Sequence, residues 1–222
     1  MRFLLAAFPV TLLFLCIPLA AGATIALPDG TLANDPNTTG TPGGVAISQT
    51  ISPSFSLTDA PLLFSGTLDP SNQSNGDYGM GLTVGNLWFF FHPGFTNGAF
   101  RIQSNTVIEV GNQDMGFMPD DSPADFSIVL SDGGSGNFDA TVTIAQGANT
   151  YSPAPFTLAA SKFGPSGEIQ SFGVQHNRFL PSAPSPTVVN YSNVIATAVP
   201  EPSSLVALSS LVVLLFARRN LC

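Results

Sequence analysis

Glu109 and Glu168 are the only glutamates between residues 24 and 198, and they are the first candidates for chemistry. Hydrolysis of a glycosidic bond generally needs two carboxyl groups facing each other across a cleft. Only these two glutamates are present in that region and they are far apart in the sequence, so hydrolysis is disfavoured, although aspartates remain available to it. His92 in "FFFHPG" and His176 in "VQHNR" both fall at predicted strand ends. Together they would offer two imidazole metal ligands; separately they are structural. "MPDDSPAD" gathers Asp120, Asp121 and Asp125, an oxygen set that calcium could use with backbone carbonyls. A solvated acidic loop is the plainer reading. No G-x-S-x-G elbow occurs, and the two cysteines, Cys16 and Cys222, lie near the chain ends. The expectation is no catalytic residue, no metal and no cofactor.

Trp88, the single tryptophan, sits in "LWFFF". In a strand, Trp88 and Phe90 oppose Leu87, Phe89 and Phe91, so this run is apolar on both sides and predicts burial of both faces. On an open face the indole would stack on a sugar ring, which makes Trp88 the candidate carbohydrate contact; packing in a core is the competing reading.

The elements around these residues read as β-strands. "NFDATVTIA" alternates Phe138, Ala140, Val142 and Ile144 against Asp139, Thr141 and Thr143. "DFSIVLS" alternates Phe126, Ile128 and Leu130 in the same way, and "DGGSG" between the two supplies hairpin-turn chemistry. Further strands are predicted at "FSLT", "LLFSGTL", "YGMGLTV", "LWFFF", "GAFRIQ", "TVIEV", "IQSFGVQ" and "VVNYSNVIAT". About ten short strands with frequent turns imply a sandwich or barrel. The lead-in over residues 24–44 and "LPSAPSPT" are Pro/Gly/Ser-rich and read as loops.

Composition narrows the partners. All 14 acidic residues lie between residues 24 and 202, against Arg101, Lys162 and Arg178, which leaves a net charge near −11 (14 acidic less three basic). Such a balance argues against nucleic acid and anionic membrane surfaces. The chain has 18 phenylalanines, and all but Phe3, Phe8, Phe14 and Phe216 fall in this central region, enough apolar surface for a packed core. With no cysteine there, stability must come from packing rather than disulfides.

Both ends read as signals. "MRFLLAAFPVTLLFLCIPLAAGA" joins Arg2, an apolar run and an A-x-A arrangement at Ala21 and Ala23, the pattern of a secretory signal peptide cut after residue 23. A retained membrane helix is the alternative. At the other end, "VPEPSSLVALSSLVVLLFARRN" places Pro200, Glu201 and Pro202 before an uncharged run at 203–216 and then Arg218 and Arg219. The prolines hold the glutamate extended. A helix of that run would be about 21 Å long, short of the roughly 30 Å hydrocarbon core. The arginine pair marks the cytoplasmic side.

These three parts, in this order, resemble the PEP-CTERM sorting signal, a tail also named after ice-binding proteins that carry it. The resemblance covers residues 199–222. It implies Pro200, Glu201 and Pro202 as the sorting motif, Arg218 and Arg219 as the membrane stop, and processing by signal peptidase and by exosortase, a membrane transpeptidase. It further implies an inner-membrane intermediate followed by the cell surface or extracellular matrix of a Gram-negative bacterium that makes extracellular polysaccharide. A plain membrane anchor is the competing reading.

The central segments "GAFRI", "FSIVLSDGGSGNFDATVTI", "IQSFGVQH" and "YSNVIAT" resemble those of concanavalin A-like (laminin-G-like) jelly rolls over residues 45–197. That resemblance implies an all-β fold, a single jelly-roll-like sandwich over 24–198 flanked by a signal helix and a C-terminal hydrophobic helix. Two functions fit. The first is an exported non-enzymatic surface or matrix protein with weak carbohydrate contact, through Trp88 and extracellular polysaccharide. The alternative is a secreted carbohydrate-active enzyme on the same fold.

Overall fold

The computed structural model describes residues 24–34, 44–71, 78–92, 98–104, 107–178 and 187–199. The signal residues Ala21 and Ala23, the sorting motif Pro200, Glu201 and Pro202, Arg218 and Arg219, and both flanking helices lie outside them. No helix among the described residues is long and apolar enough to cross a membrane.

Fourteen strands follow one another: β1 (Ile25–Leu27), β2 (Gly30–Asn34), β3 (Gly44–Phe55), β4 (Leu62–Ser71), β5 (Tyr78–Val84), β6 (Leu87–His92), β7 (Ala99–Ser104), β8 (Val107–Asp114), β9 (Ala124–Gly134), β10 (Asn137–Gln146), β11 (Asn149–Tyr151), β12 (Phe156–Ala159), β13 (Ile169–Arg178) and β14 (Thr187–Ala198). They form two antiparallel sheets. The first runs β1-β14-β4-β9-β10-β11, with β2 also paired to β14 and β12 to β10; the second runs β3-β13-β5-β6-β7-β8. The fold is an all-β sandwich, one of the two architectures that the alternation predicts, and matches the jelly-roll-like sandwich that the resemblance implies.

The period-two residues meet between the sheets. Phe126, Ile128 and Leu130 of β9 and Phe138, Ala140, Val142 and Ile144 of β10 are all buried in one apolar cluster with Leu82, Phe89, Phe91 and Val174 of the second sheet. Rings interlock across the gap: Phe91 stacks on Phe126 at 5.5 Å, and Phe64 meets Phe172 at 6.3 Å. Each fully buried phenylalanine contributes about 2–3 kcal/mol. The β9–β10 hairpin pairs as expected, and its turn uses left-handed Gly134, Ser135 and Gly136.

Several segments differ from the sequence reading. "FSLT" is no strand of its own: Phe55 ends β3, and Leu57–Asp59 form a 3-10 turn with Asp59 accepting from Ser56 N. The lead-in holds β1 and β2, whose backbones pair along β14 from Ile25↔Ala196 to Asn34↔Thr187. β11 and β12 also pair with β10, although each has only three or four residues.

Tyr151 shows how tightly the core closes. Its ring packs on Phe100 at 5.4 Å, and its buried hydroxyl has no hydrogen-bond partner among the described residues. Burial pushes its pKa up to about 12 from 10.0. The unfolded chain therefore loses this proton at lower pH than the folded one, and stability falls between about pH 10 and 12. We expect Tyr151→Phe to lessen that alkaline loss, on the order of 1 kcal/mol per pH unit. Urea titrations of both proteins at pH 8, 10 and 11 measure it; parallel pH profiles would contradict the burial of this hydroxyl.

Candidate functional site

β6 supplies the floor of the site. Leu87, Phe89 and Phe91 turn into the intersheet core, so Trp88, Phe90 and His92 project from the opposite face of the second sheet. There they form a column: Trp88 stacks on Phe90 with centroids 3.6 Å apart and planes 10° apart, and Phe90 faces His92 at 6.1 Å. All six residues of the strand are buried. The expected burial of "LWFFF" on both sides is what the structure shows, and Trp88 lies outside the intersheet cluster.

Antiparallel register places the neighbours. Trp88 stands between Thr83 on β5 and Gln103 on β7, and Phe90 between Gly81 and Arg101. On β13, Gln175 pairs with Gly81 and Asn177 with Gly79, on this same face because Val174 turns inward. Thr83, Asn86, Trp88, Gln103, Gln175 and Asn177 line a groove of about 370 Å³. Gly85 and Asn86 close one end. Gly85 N donates to Ser171 O (2.7 Å) and Asn86 N to Phe163 O (2.9 Å). Gly85 has φ 56°, and a Cβ there would stand 2.1 Å from Phe163 O, so only glycine permits the turn.

The groove is polar without being charged. Amides both donate and accept, and the groove has four such side chains, Asn86, Gln103, Gln175 and Asn177, of which Gln175 Nε2 donates to Asn177 Oδ1 at 3.0 Å. Trp88 is only 5% exposed. Its ring is a floor rather than an open platform, with Phe90 against one face and the indole N–H without a partner among the described residues.

Beyond Gln103 the same face carries a second cluster. Arg101 lies over the Phe90 ring at 5.9 Å and donates from Nε (2.8 Å) and Nη2 (2.5 Å) to Asn112 Oδ1. Burial, then the Arg101 charge, push the His92 pKa below its ordinary 6.5, against the opposing hydrogen bond of Asn112. His92 is therefore neutral at pH 7.

The remaining chemical candidates are scattered. Glu109 accepts from Ser104 Oγ (2.6 Å) and pairs with Lys162 (3.1 Å) on edge strand β8, while Glu168 accepts from Ser54 Oγ (2.9 Å) of the opposite edge strand β3. Five strand spacings separate those edges, on the order of 24 Å along the sheet. The Ser104 hydrogen bond, reinforced by Lys162, holds the Glu109 pKa down. His176 is not at a strand end: it lies within β13 on the core side, opposite Met80, with Nδ1 3.2 Å from Gly79 O. It and His92 occupy opposite faces of one sheet and share no ligand. Asp120 accepts from Ser122 N (2.8 Å) and its hydroxyl, and Asp125 accepts from Thr67 (2.7 Å). Gln146 already occupies the carbonyls of Asp120 and Ser122 at 2.9 and 2.7 Å. Among the described residues no group of three or more His, Cys, Asp or Glu could hold a metal ion.

Sequence reasoning found Trp88 but missed Gln103, Gln175, Asn177 and Arg101. Their shared face was available from the alternation of each strand; the strand order that makes them neighbours was not.

The fold and groove define an antiparallel β-sandwich with a polar, uncharged cleft on one outer face. No protein-family model and no curated protein matches the chain. Among solved structures it is similar to a GH131 β-glucanase catalytic domain from Podospora anserina, with TM-score 0.44 and 12% identity over 79% of this chain and 71% of that one. It is also similar to xylan β-1,4-xylosidase from Bacillus halodurans, at 0.40 and 10%, covering 60% of this chain and 28% of the xylosidase. A galectin from Caenorhabditis elegans aligns at 0.33 and 11%, over 72% of this chain and 96% of its own. At these values the likeness reaches no residue role in this chain.

Gly81 tests the floor. A Cβ there would fall 1.9 Å from Phe89 O and 2.6 Å from Phe90 Cα, so Gly81→Ala must push β5 from β6. The expected cost is about 2 kcal/mol or more. Trp88 emission should shift to longer wavelength and become open to acrylamide quenching. Unchanged emission and an unchanged urea midpoint would show the column is not held by that close approach.

Proposed function

We propose that this protein is an exported, non-catalytic saccharide-binding protein of the cell surface or extracellular matrix, delivered by its terminal signals. The observation that carries the binding half is the groove on the outer face of the second sheet. Its volume of about 370 Å³ lies within the range of small-molecule sites, about 300–1,000 Å³. Its walls are Gln103, Gln175, Asn177, Asn86 and Thr83 around the Trp88 edge, a set suited to hydroxyl-rich ligands and devoid of a nucleophile or general base. The placement of Glu109 and Glu168 supports binding over hydrolysis, because retaining and inverting mechanisms need carboxyl groups roughly 5–10 Å apart.

Gln103→Ala and Gln175→Ala should each weaken glycan binding by about three- to tenfold, the worth of one or two neutral hydrogen bonds, while the protein stays folded with a loss of stability of about 1 kcal/mol. A glycan array followed by titration of the full chain, with Trp88 emission as the readout, measures this. Absence of any glycan ligand, the producer's own polysaccharide included, would refute the binding reading; product release that stops on Glu109→Gln or Glu168→Gln would restore the enzymatic one.

The delivery half rests on Pro200, Glu201, Pro202, the short apolar run and Arg218 with Arg219. A transpeptidase would read the proline-held Glu201 at the periplasmic surface and release the sandwich from its temporary anchor. Glu201→Ala should leave the fold intact and retain the tail in the inner membrane, while wild-type surface material should lack residues 205–222 by mass spectrometry. Recovery of those residues still joined to surface-located protein would favour a simple anchor.

A further inference from the structure

Among the described residues, Arg101 is a cation on the outer face of the second sheet with no carboxylate partner. Lys162 is paired with Glu109, whereas Arg101 meets only the neutral Asn112 and the Phe90 ring, and no carboxylate lies within ion-pair distance of it among the described residues. Asp114, on the same face, turns its Oδ1 to Gly116 N at 2.8 Å. A guanidinium has five N–H donors in a fixed fork. Two point at Asn112, which orients the plane, and three remain. Arg101 is half-buried, so its charge is only partly screened by water. It stands two residues from Gln103 on the same side of β7, about 7 Å along the strand and just outside the residues that line the groove.

We propose that Arg101, standing next to the uncharged groove, extends it with an anion-recognising position, so that the saccharide bound there is an acidic one whose carboxylate docks on the guanidinium. This deepens the saccharide-binding reading and rests on it. The Gln103, Gln175 and Asn177 amides take the hydroxyls of the sugar, and Arg101 takes the carboxylate of the same or the adjoining unit through charge-assisted hydrogen bonds. A rigid, aromatic-backed guanidinium suits the planar carboxylate better than a flexible ammonium would. The surrounding protein is strongly acidic and repels an extended polyanion, so the attraction is confined to a carboxylate seated on the guanidinium itself.

The test uses the full chain in detergent, with an oligogalacturonate and its methyl ester as probes, since esterification removes the charge and keeps the sugar. Wild type should bind the acid form about tenfold tighter. Arg101→Gln should bring the two forms to parity and leave the affinity for the ester unchanged. Arg101→Lys should keep part of the preference, and Lys162→Met, which removes a cation away from the groove, should keep all of it. Equal or tighter binding of the ester by wild type, or a preference that survives Arg101→Gln, overturns the anion assignment while the groove reading stands. If wild type binds neither form nor any neutral glycan, the groove reading fails and this inference with it. Should Arg101→Gln not fold, the acid-versus-ester comparison on wild type and Arg101→Lys still decides.

Discussion

A strand that is apolar on both faces cannot lie on the surface of a two-layer sandwich without something covering its outer side. β6 is such a strand. Leu87, Phe89 and Phe91 belong to the intersheet core, and Trp88, Phe90 and His92 need a second cover. The protein meets that need by stacking them on one another and walling them with polar side chains from β5, β7 and β13. A long amide is well suited to this, because its methylenes lie on the ring while its head stays at the water boundary. The groove is thus a consequence of covering β6, with a wet upper edge and a dry floor. Placing β6 fourth in a six-stranded sheet, with paired neighbours on both sides, satisfies its backbone at the same time.

The same constraint explains the glycines beside it. Gly81 lets the backbone of β5 approach that of β6 more closely than any side chain would allow, and Gly173 does the same against Ile47 on β3. Each glycine carries an entropic cost on folding, of roughly 0.5–1 kcal/mol relative to alanine. In a domain without a disulfide that cost is offset by ring packing: Phe64 on Phe172, Phe91 on Phe126 and Phe138 on Phe163 at 5.0 Å. Backbone geometry around the site and phenylalanine content are therefore two halves of one solution.

How much of this could be read beforehand follows the strength of the alternation. β9 and β10 were legible because each has four or so inward apolar residues at period two and a glycine turn between them. β5, β6, β13 and β14 were legible for similar reasons. β1 and β2 are too short and too flanked by proline and glycine to announce themselves; they exist because β14 is long enough to pair both of them on one side and β4 on the other. β3 carries polar residues on an edge strand, where one exposed side relaxes the pattern. The floor of the site was legible as "LWFFF", since its double-sided apolarity is local. The walls were not, because Thr83, Gln103 and Gln175 become neighbours only through strand order.

Rigidity at the groove's closed end comes from interactions that are individually weak. The Lys162–Glu109 pair, with Lys162 44% exposed, contributes at most about 1 kcal/mol. It nonetheless ties the 3-10 turn Ala160–Lys162 to edge strand β8. The next residue, Phe163, wedges its ring against Phe138 and offers its carbonyl to Asn86. Ala160 N is anchored in turn on Gly136 O of the β9–β10 hairpin at 3.0 Å. One short turn thereby joins the hairpin of the first sheet to the β5–β6 turn that bounds the groove in the second. A ligand that orders Asn86 would act on a segment already fixed from three directions. Little further ordering entropy would then be lost on binding, the condition under which a few amide hydrogen bonds suffice for recognition.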